Sequence, residues 1–203
     1  VTHTDEADIT ELEPYRKTLD GAAKDKGFRV TMLAFLMKAS VVALKEHPEF
    51  NASLSPEKDA LILKRYYHLG VAVDTPDGLV VPVIKDVDRK GILELSQELG
   101  SMSKKMRDGK ITPADISGAT FSISSLGGIG GTNFTPIVNA PELAILGVVR
   151  SAMKPVWDGK EFKPRLMLPL CLSYDHRVID GALAARFARR LADVLGDVRQ
   201  LVL

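Results

Sequence analysis

The spacing of apolar residues changes along the chain from a helical period to alternation and back, and these changes mark out the elements. Over residues 8–25, Ile9, Leu12, Tyr15 and Leu19 recur on one helical face. Thr10-x-x-Glu13 fits a capping box and would put Pro14 in the first turn, where a missing amide hydrogen costs little. Thr31 is the expected cap of a second, mostly apolar helix running to about residue 45, and His47-Pro48 ends it. Residues 61–67 and 69–73 are apolar or β-branched runs, and Thr75-Pro76-Asp77-Gly78 is turn chemistry. Residues 79–84 are expected to pair back as a strand, with Pro82 marking an edge or an interrupted ladder.

The amphipathic stretch 92–107 predicts a helix, closed by Gly109 and followed by Pro113. Strands follow at 119–125 and 142–149, separated first by a glycine-rich bend at 126–132. Trp157-Asp158-Gly159-Lys160 is a hairpin turn leading into a long strand at 165–174. A last helix at 181–195 would turn Ala182, Ala185, Phe187 and Leu191 inward. The expected class is α+β, a mixed sheet flanked by helices.

Composition narrows the function. The chain has 203 residues, 45% of them hydrophobic and 26% charged, as an ordinary globular domain does. A net charge of +1 leaves no basic face for nucleic acid or an anionic membrane. Residues 32–44, the most apolar stretch, are too few to cross a bilayer. Residues 1–13 are polar and acidic, unlike a signal peptide, so an intracellular protein is expected. Cys171 is the only cysteine, which excludes an internal disulfide and any multi-cysteine metal site; its apolar neighbours make it a buried thiol.

Two segments carry candidate chemistry. In Ser173-Tyr174-Asp175-His176-Arg177-Val178-Ile179-Asp180-Gly181, a leucine-rich strand runs out into ionisable groups just before a helix. His176 has the side chain suited to general base work near neutral pH, although a histidine beside a helix start also serves structural roles. Asp180 is in the position of an N-cap. Upstream, Ser122 and Ser124 share one face of a strand, opposite Phe121 and Ile123, and glycines follow. A serine there could donate to an oxyanion or simply belong to a turn. The glycine run is neither a nucleotide fingerprint nor a P-loop, since Asn133 interrupts the spacing and no Gly-Lys-Ser/Thr follows. No Gly-x-Ser-x-Gly elbow is present, Asp25-Lys26-Gly27 reads as a solvated loop, and Cys171 and His176 differ by an odd number of positions, which disfavours a dyad.

Taken together, Asp175-His176-Arg177-x-x-Asp180-Gly181, the segment from Phe121 to Gly127, Pro136-Ile-Val-Asn-Ala-Pro-Glu142 and Ala144-Ile-Leu-Gly147 resemble the catalytic domain of dihydrolipoamide acyltransferases. These are the core subunits of 2-oxo acid dehydrogenase complexes, related to chloramphenicol acetyltransferase. The resemblance spans residues 1–203. Gly70-Val-Ala-Val-Asp-Thr-Pro-Asp-Gly78, Lys154-Pro-Val-Trp-Asp-Gly159 and Pro164-Arg-Leu-Met-Leu-Pro169 are most similar to the acetyl-transferring members of bacterial pyruvate dehydrogenase complexes.

The resemblance implies acetyl transfer between lipoamide and coenzyme A, both as substrates, with no metal; succinyl or branched-chain transfer and a non-catalytic scaffold are the alternatives. It assigns His176 as catalytic base, Ser124 as oxyanion donor beside the meeting point of the coenzyme A and lipoyl thiols, and Asp180 as the motif's acid, either catalytic or structural through Arg177. It implies homotrimers with each site between two subunits, building a cubic shell of twenty-four. The lipoyl arm and the contacts to the pyruvate dehydrogenase and dihydrolipoamide dehydrogenase components belong to domains outside these residues, and an N-terminal segment of the catalytic domain is expected to precede Val1. The expected compartment is the bacterial cytoplasm, or the mitochondrial matrix in a eukaryote.

Overall fold

The computed structural model describes residues 1–76 and 78–202. Asp77, in the turn expected after residue 73, lies outside the described residues. The chain runs β1 (Thr2–Asp8), α1 (Leu12–Lys24), α2 (Met32–Glu46), β2 (Ala52–Leu54), β3 (Leu61–Leu63), β4 (Leu69–Thr75), β5 (Gly78–Val80), β6 (Val83–Ile84), α3 (Ile92–Arg107), β7 (Phe121–Ser125), β8 (Ala144–Val148), β9 (Ala152–Trp157), β10 (Phe162–Tyr174) and α4 (Gly181–Gly196). The main sheet has the order β1-β10-β8-β7-β4-β5, with β6 on β4 and β9 on β10. The pairs β4–β7 and β7–β8 are parallel and the other pairs antiparallel, so the sheet is mixed as expected.

Alternation gives the two sheet faces opposite characters. Val71, Ile123, Leu146 and Leu172 form one row across four strands, and all belong to the single core that the helices cover. Phe187 of α4 is the hub of that packing, stacked on Phe50 with ring centres 4.1 Å apart and tilted against Phe121 at 5.9 Å. The opposite face carries the rows Gly70–Ser122–Ile145–Ser173–Thr2 and Ala72–Ser124–Gly147–Cys171–Thr4, mostly small or polar. Burial of apolar area drives the first face together. The second is shaped by close approach: a Cβ on Gly147 would lie 2.7 Å from the Phe134 ring, and one on Gly70 2.5 Å from Ser122 Oγ.

Several expectations need correcting. The segment expected to start a helix at residue 8 is strand as far as Asp8, and α1 begins at Leu12. No capping box forms there: Thr10 Oγ1 donates to Asp8 and accepts from the Leu166 amide, while Glu13 pairs with Arg16. The polar residues of β1 gave no apolar alternation to read, yet its ladder with β10 and the ion pairs Asp5–Arg189, Glu6–Lys154 and Asp8–Arg165 hold it. The expected strand at 61–67 is only β3, paired with β2. Pro82 divides residues 79–84 into β5 and β6, an interrupted ladder as the ring predicts. On α4, Ala182 is exposed and Ala185 half-buried, because the inward stripe runs through Ala184, Phe187, Ala188 and Leu191. Helix α3 and the 157–160 turn match, and Gly159 takes the left-handed φ of +103° that the turn demands.

Asp20 is a buried carboxylate on α1 that reaches across the connection to α2. Arg29 Nε and Nη2 donate to its two oxygens at 2.8 and 2.7 Å, and the Val30 amide donates at 2.9 Å. These donors hold its ionisation far below the usual carboxylate range.

Two outcomes follow from this packing. Phe187→Ala should cost about 3–5 kcal/mol of stability, measured by urea unfolding, since three aromatic contacts and a large buried volume go with the ring. For Asp20, the folded ionisation is depressed, so its stabilisation is complete above the ordinary value of about 4. It is lost as pH falls through the depressed folded value. Asp20→Asn is therefore expected to be destabilised at neutral pH, and the gap between variant and wild type should close only in strong acid. A gap independent of pH would show that the carboxylate charge contributes nothing.

Candidate active site

The end of β10 fixes where the ionisable cluster stands. Tyr174 is the last residue of the ladder, opposite Ala144. The Asp175 amide then donates to the Leu143 carbonyl at 2.8 Å, and the Asp175 carbonyl accepts from the amides of Val178 and Ile179. This closes a tight turn with His176 at its outer side. His176 is exposed, its ring 5.9 Å from that of Tyr174, and among the described residues its nitrogens have no hydrogen-bond partner. An imidazole so placed is free to exchange a proton with a substrate.

Its neighbours are committed to holding the turn. Arg177 grips Asp175 through Nε at 2.9 Å and Nη2 at 2.5 Å, which keeps the Asp175 carboxyl below its usual ionisation range. The arginine therefore pairs with Asp175 and not with Asp180, its possible partner on the structural reading of that acid. Asp180 is the N-cap of α4: its backbone is extended, and Oδ1 accepts from the Leu183 amide at 2.7 Å. The capping reading of this aspartate fits what its side chain does here.

Ser124 lies elsewhere. It is the fourth residue of β7, half-buried on the small-residue face, between Ala72 of β4 and Gly147 of β8. Because β10 runs antiparallel to β8 and β8 parallel to β7, Tyr174 stands level with the start of β7 and Ser124 near its end. Three residues along a strand and two strands across put Tyr174 and Ser124 roughly 14 Å apart. His176 is two residues further on. One copy of the chain therefore does not bring the imidazole and the hydroxyl together. The two candidate groups stand apart on one sheet.

The surroundings of Ser124 are preformed. Phe134 and Pro136, from the loop between β7 and β8, lie directly over Gly147, where any side chain would collide with the phenyl ring. Glu142, just ahead of β8, is 4% exposed. Burial pushes its carboxyl above the ordinary range, against the opposing pull of Ser122, Asn139 and Lys64. Spacing singles out neither Phe134 nor Glu142. Only the small residue at Gly147, within an apolar strand, hints that something approaches closely. Cys171 is fully buried in β10, and a groove of about 740 Å³ lies on the helical side among Phe28, Leu33, Val73 and Met102, lined by neither His176 nor Ser124.

Comparisons place this geometry among known proteins. The chain is 60% identical over 203 residues to the dihydrolipoyllysine-residue acetyltransferase component of the pyruvate dehydrogenase complex of Cupriavidus necator, covering 100% of this chain and 36% of that protein. The chain thus spans about a third to a half of the length of the curated relatives it matches. Its fold superimposes with a TM-score of 0.98 and 57% identity on a structure from a crystallographic and enzymatic investigation of a serine, a histidine and an asparagine in the mechanism of Azotobacter vinelandii dihydrolipoamide acetyltransferase, covering 100% of this chain and 84% of that one. The cubic core of the pyruvate dehydrogenase multienzyme complex gives the same TM-score of 0.98 at 58% identity, with the same coverage. Chloramphenicol acetyltransferase, at 15% identity and a TM-score of 0.60 over 96% of this chain and 87% of that one, shares the fold. A family model described as 2-oxoacid dehydrogenases acyltransferase (catalytic domain) matches residues 1–203. The chain belongs to that family of acyltransferase catalytic domains.

Proposed function

We propose that this chain transfers an acetyl group between lipoamide and coenzyme A, at a site built from His176 of one copy and Ser124 of a neighbouring copy in a trimer. The observation that carries this reading is the separation of the two half-sites: a free imidazole and a half-buried hydroxyl stand at opposite ends of one sheet, so a second copy has to complete each site. The relative studied for catalysis supports the choice of residues, because its serine, histidine and asparagine have the same spacing along the chain as Ser124, His176 and Asp180. The cubic core formed by another relative supports assembly of the trimers into a shell of twenty-four. On this reading the reaction takes place in the bacterial cytoplasm, or in the mitochondrial matrix of a eukaryote. The lipoyl arm reaches the site from a domain outside these residues.

The chemistry follows from the two groups. His176 removes the proton from the coenzyme A thiol, and the thiolate attacks the carbonyl of acetyl-dihydrolipoamide. A carbon–sulfur bond forms as the carbonyl π pair moves onto oxygen. Ser124 Oγ donates a hydrogen bond to that oxyanion. Collapse re-forms the carbonyl and expels the dihydrolipoamide sulfur, which takes the proton back from the imidazolium. Acetyl-CoA and dihydrolipoamide leave, and no acyl-enzyme is needed. Asp180 holds the start of α4, four residues after His176.

The assay is direct: acetyl-CoA and dihydrolipoamide are mixed with the protein, and formation of acetyl-dihydrolipoamide is followed by chromatography, with succinyl and isobutyryl donors run alongside. Ser124→Ala is expected to lower kcat by roughly 100- to 1,000-fold, the effect of deleting one oxyanion donor. His176→Ala should lose about 10²–10⁴-fold, the share of a general base. Undiminished turnover in His176→Ala would remove the reading altogether.

Asp180 separates into its two roles by substitution. Asparagine caps a helix as well as aspartate does, so Asp180→Asn should keep both the fold and most of the turnover. Asp180→Ala should cost about 1 kcal/mol in thermal or urea unfolding. A folded Asp180→Asn enzyme as slow as Ser124→Ala would instead give the carboxylate a direct part in the reaction.

A further inference from the structure

Glu142 is a buried acid that the reaction as derived does not use. It sits two residues before β8, and its amide donates to the Asn139 carbonyl at 3.0 Å while Asn139 Nδ2 approaches Oε1 only at 3.4 Å. Oε2 is buried with no partner in hydrogen-bond geometry, and so is Ser122 Oγ, the hydroxyl that lies against this carboxyl. Leaving polar atoms unpaired in the interior is costly, and an apolar side chain would fill the same space without that cost. A carboxyl at such a place invites a reason beyond packing.

The reason lies in what the two ends of this residue touch. Its side chain meets Ser122, which shares a strand and a face with Ser124 two residues further on. Its main chain continues into Leu143, whose carbonyl accepts the Asp175 amide at 2.8 Å and so anchors the first residue of the His176 turn. Ala144 then opposes Tyr174 in the last pair of the β8–β10 ladder. Three consecutive residues therefore link the strand that carries Ser124 to the segment that leads into His176. Each copy gives its histidine to one site and its serine to another, so the distance between the half-sites within a copy has to match the distance that the assembly demands.

We propose that Glu142 is a positioning residue for acyl transfer, its carboxyl joining the serine row of β7 to the segment that anchors the His176 turn. This rests on the assignment of His176 and Ser124 to catalysis. The protonated acid can donate from Oε2 to Ser122 Oγ, which pairs both orphaned atoms in one bond. Burial pushes the carboxyl towards that form, against the opposing pull of Ser122, Asn139 and the half-buried Lys64, whose own ammonium is pulled down by desolvation. Glutamine has the shape of the neutral acid and an N–H to give, so it should serve in its place. Leucine fills the volume and gives nothing.

The test uses Glu142→Gln, Glu142→Leu and Ser122→Ala in the same acetyl-transfer assay, with thermal unfolding measured alongside. Glu142→Leu is expected to lower kcat by roughly 10- to 100-fold with KM for acetyl-CoA unchanged, since small misplacement of reacting groups slows turnover without weakening the hold on substrate. Glu142→Gln should restore most of that loss. Ser122→Ala should reproduce it, and the Ser122→Ala/Glu142→Leu double variant should be no slower than either single one, because both remove the same link. Full kcat in Glu142→Leu overturns the proposal, as does a double variant in which the two losses multiply. If Glu142→Leu does not fold, Glu142→Gln decides: near-normal kcat supports the link, and a kcat as low as that of Ser122→Ala overturns it. His176→Ala keeps the two levels apart. An active His176→Ala sinks the catalytic reading itself, whereas an inactive one beside a fully active Glu142→Leu sinks only this inference.

Discussion

Strand β10 carries the molecule because it is paired along both edges. Its thirteen residues meet β1 on one side and, on the other, β9 and then β8, so its backbone groups are consumed by ladders over nearly its whole length. A strand fixed this way has one register, and a slip by a single residue would turn Leu168, Leu170 and Leu172 out of the core. The same constraint determines where it stops. Pairing with β8 ends at Tyr174, the next amide bonds to Leu143, and the chain turns within six residues into α4. The exposed imidazole stands on that turn because everything before and after it is fixed.

Division of labour between the sheet faces makes the rest possible. On one side Phe187, Phe50 and Phe121 stack with the aliphatic rows to supply the hydrophobic free energy. The other side can then carry glycine, serine and alanine, which contribute little to stability and leave room for close approach. Gly147 lets Phe134 come down on the sheet beside Ser124, and Gly70 leaves space for the Ser122 hydroxyl. A buried acid such as Glu142 is tolerable next to these residues because the aliphatic core lies on the other side of the sheet. The reactive groups thus sit on the rigid scaffold but outside its core.

The chemistry then depends on distance within one copy. His176 and Ser124 come from different strands at opposite ends of the sheet, and no local rearrangement of one chain unites them. On the proposed reading the arrangement ties function to association, since a site made of two copies works only when both are folded and in register. The sheet would then act as a spacer between the His176 turn and Ser124.

The sequence by itself determined the helices at 32–46 and 92–107, the interruption at Pro82, the turn at Gly159 and the end of a strand at Tyr174, because period, proline and glycine act over a few residues. It also put Ser122 and Ser124 on one face, and marked His176 and Asp180 as the ionisable groups at a helix start. It was silent about β1, whose polar residues are held by a partner 160 or so positions away, and it pointed Ala182 inward where α4 turns by about one residue to meet the sheet. Only the tertiary structure decided that Arg177 belongs to Asp175, that Glu142 is buried against Ser122, and that the imidazole and the hydroxyl lie far apart. The last two relate segments distant along the chain, and the first depends on how the turn after β10 closes. Side-chain period carries no record of them, because they are set by how the ladders register and by which face each helix buries.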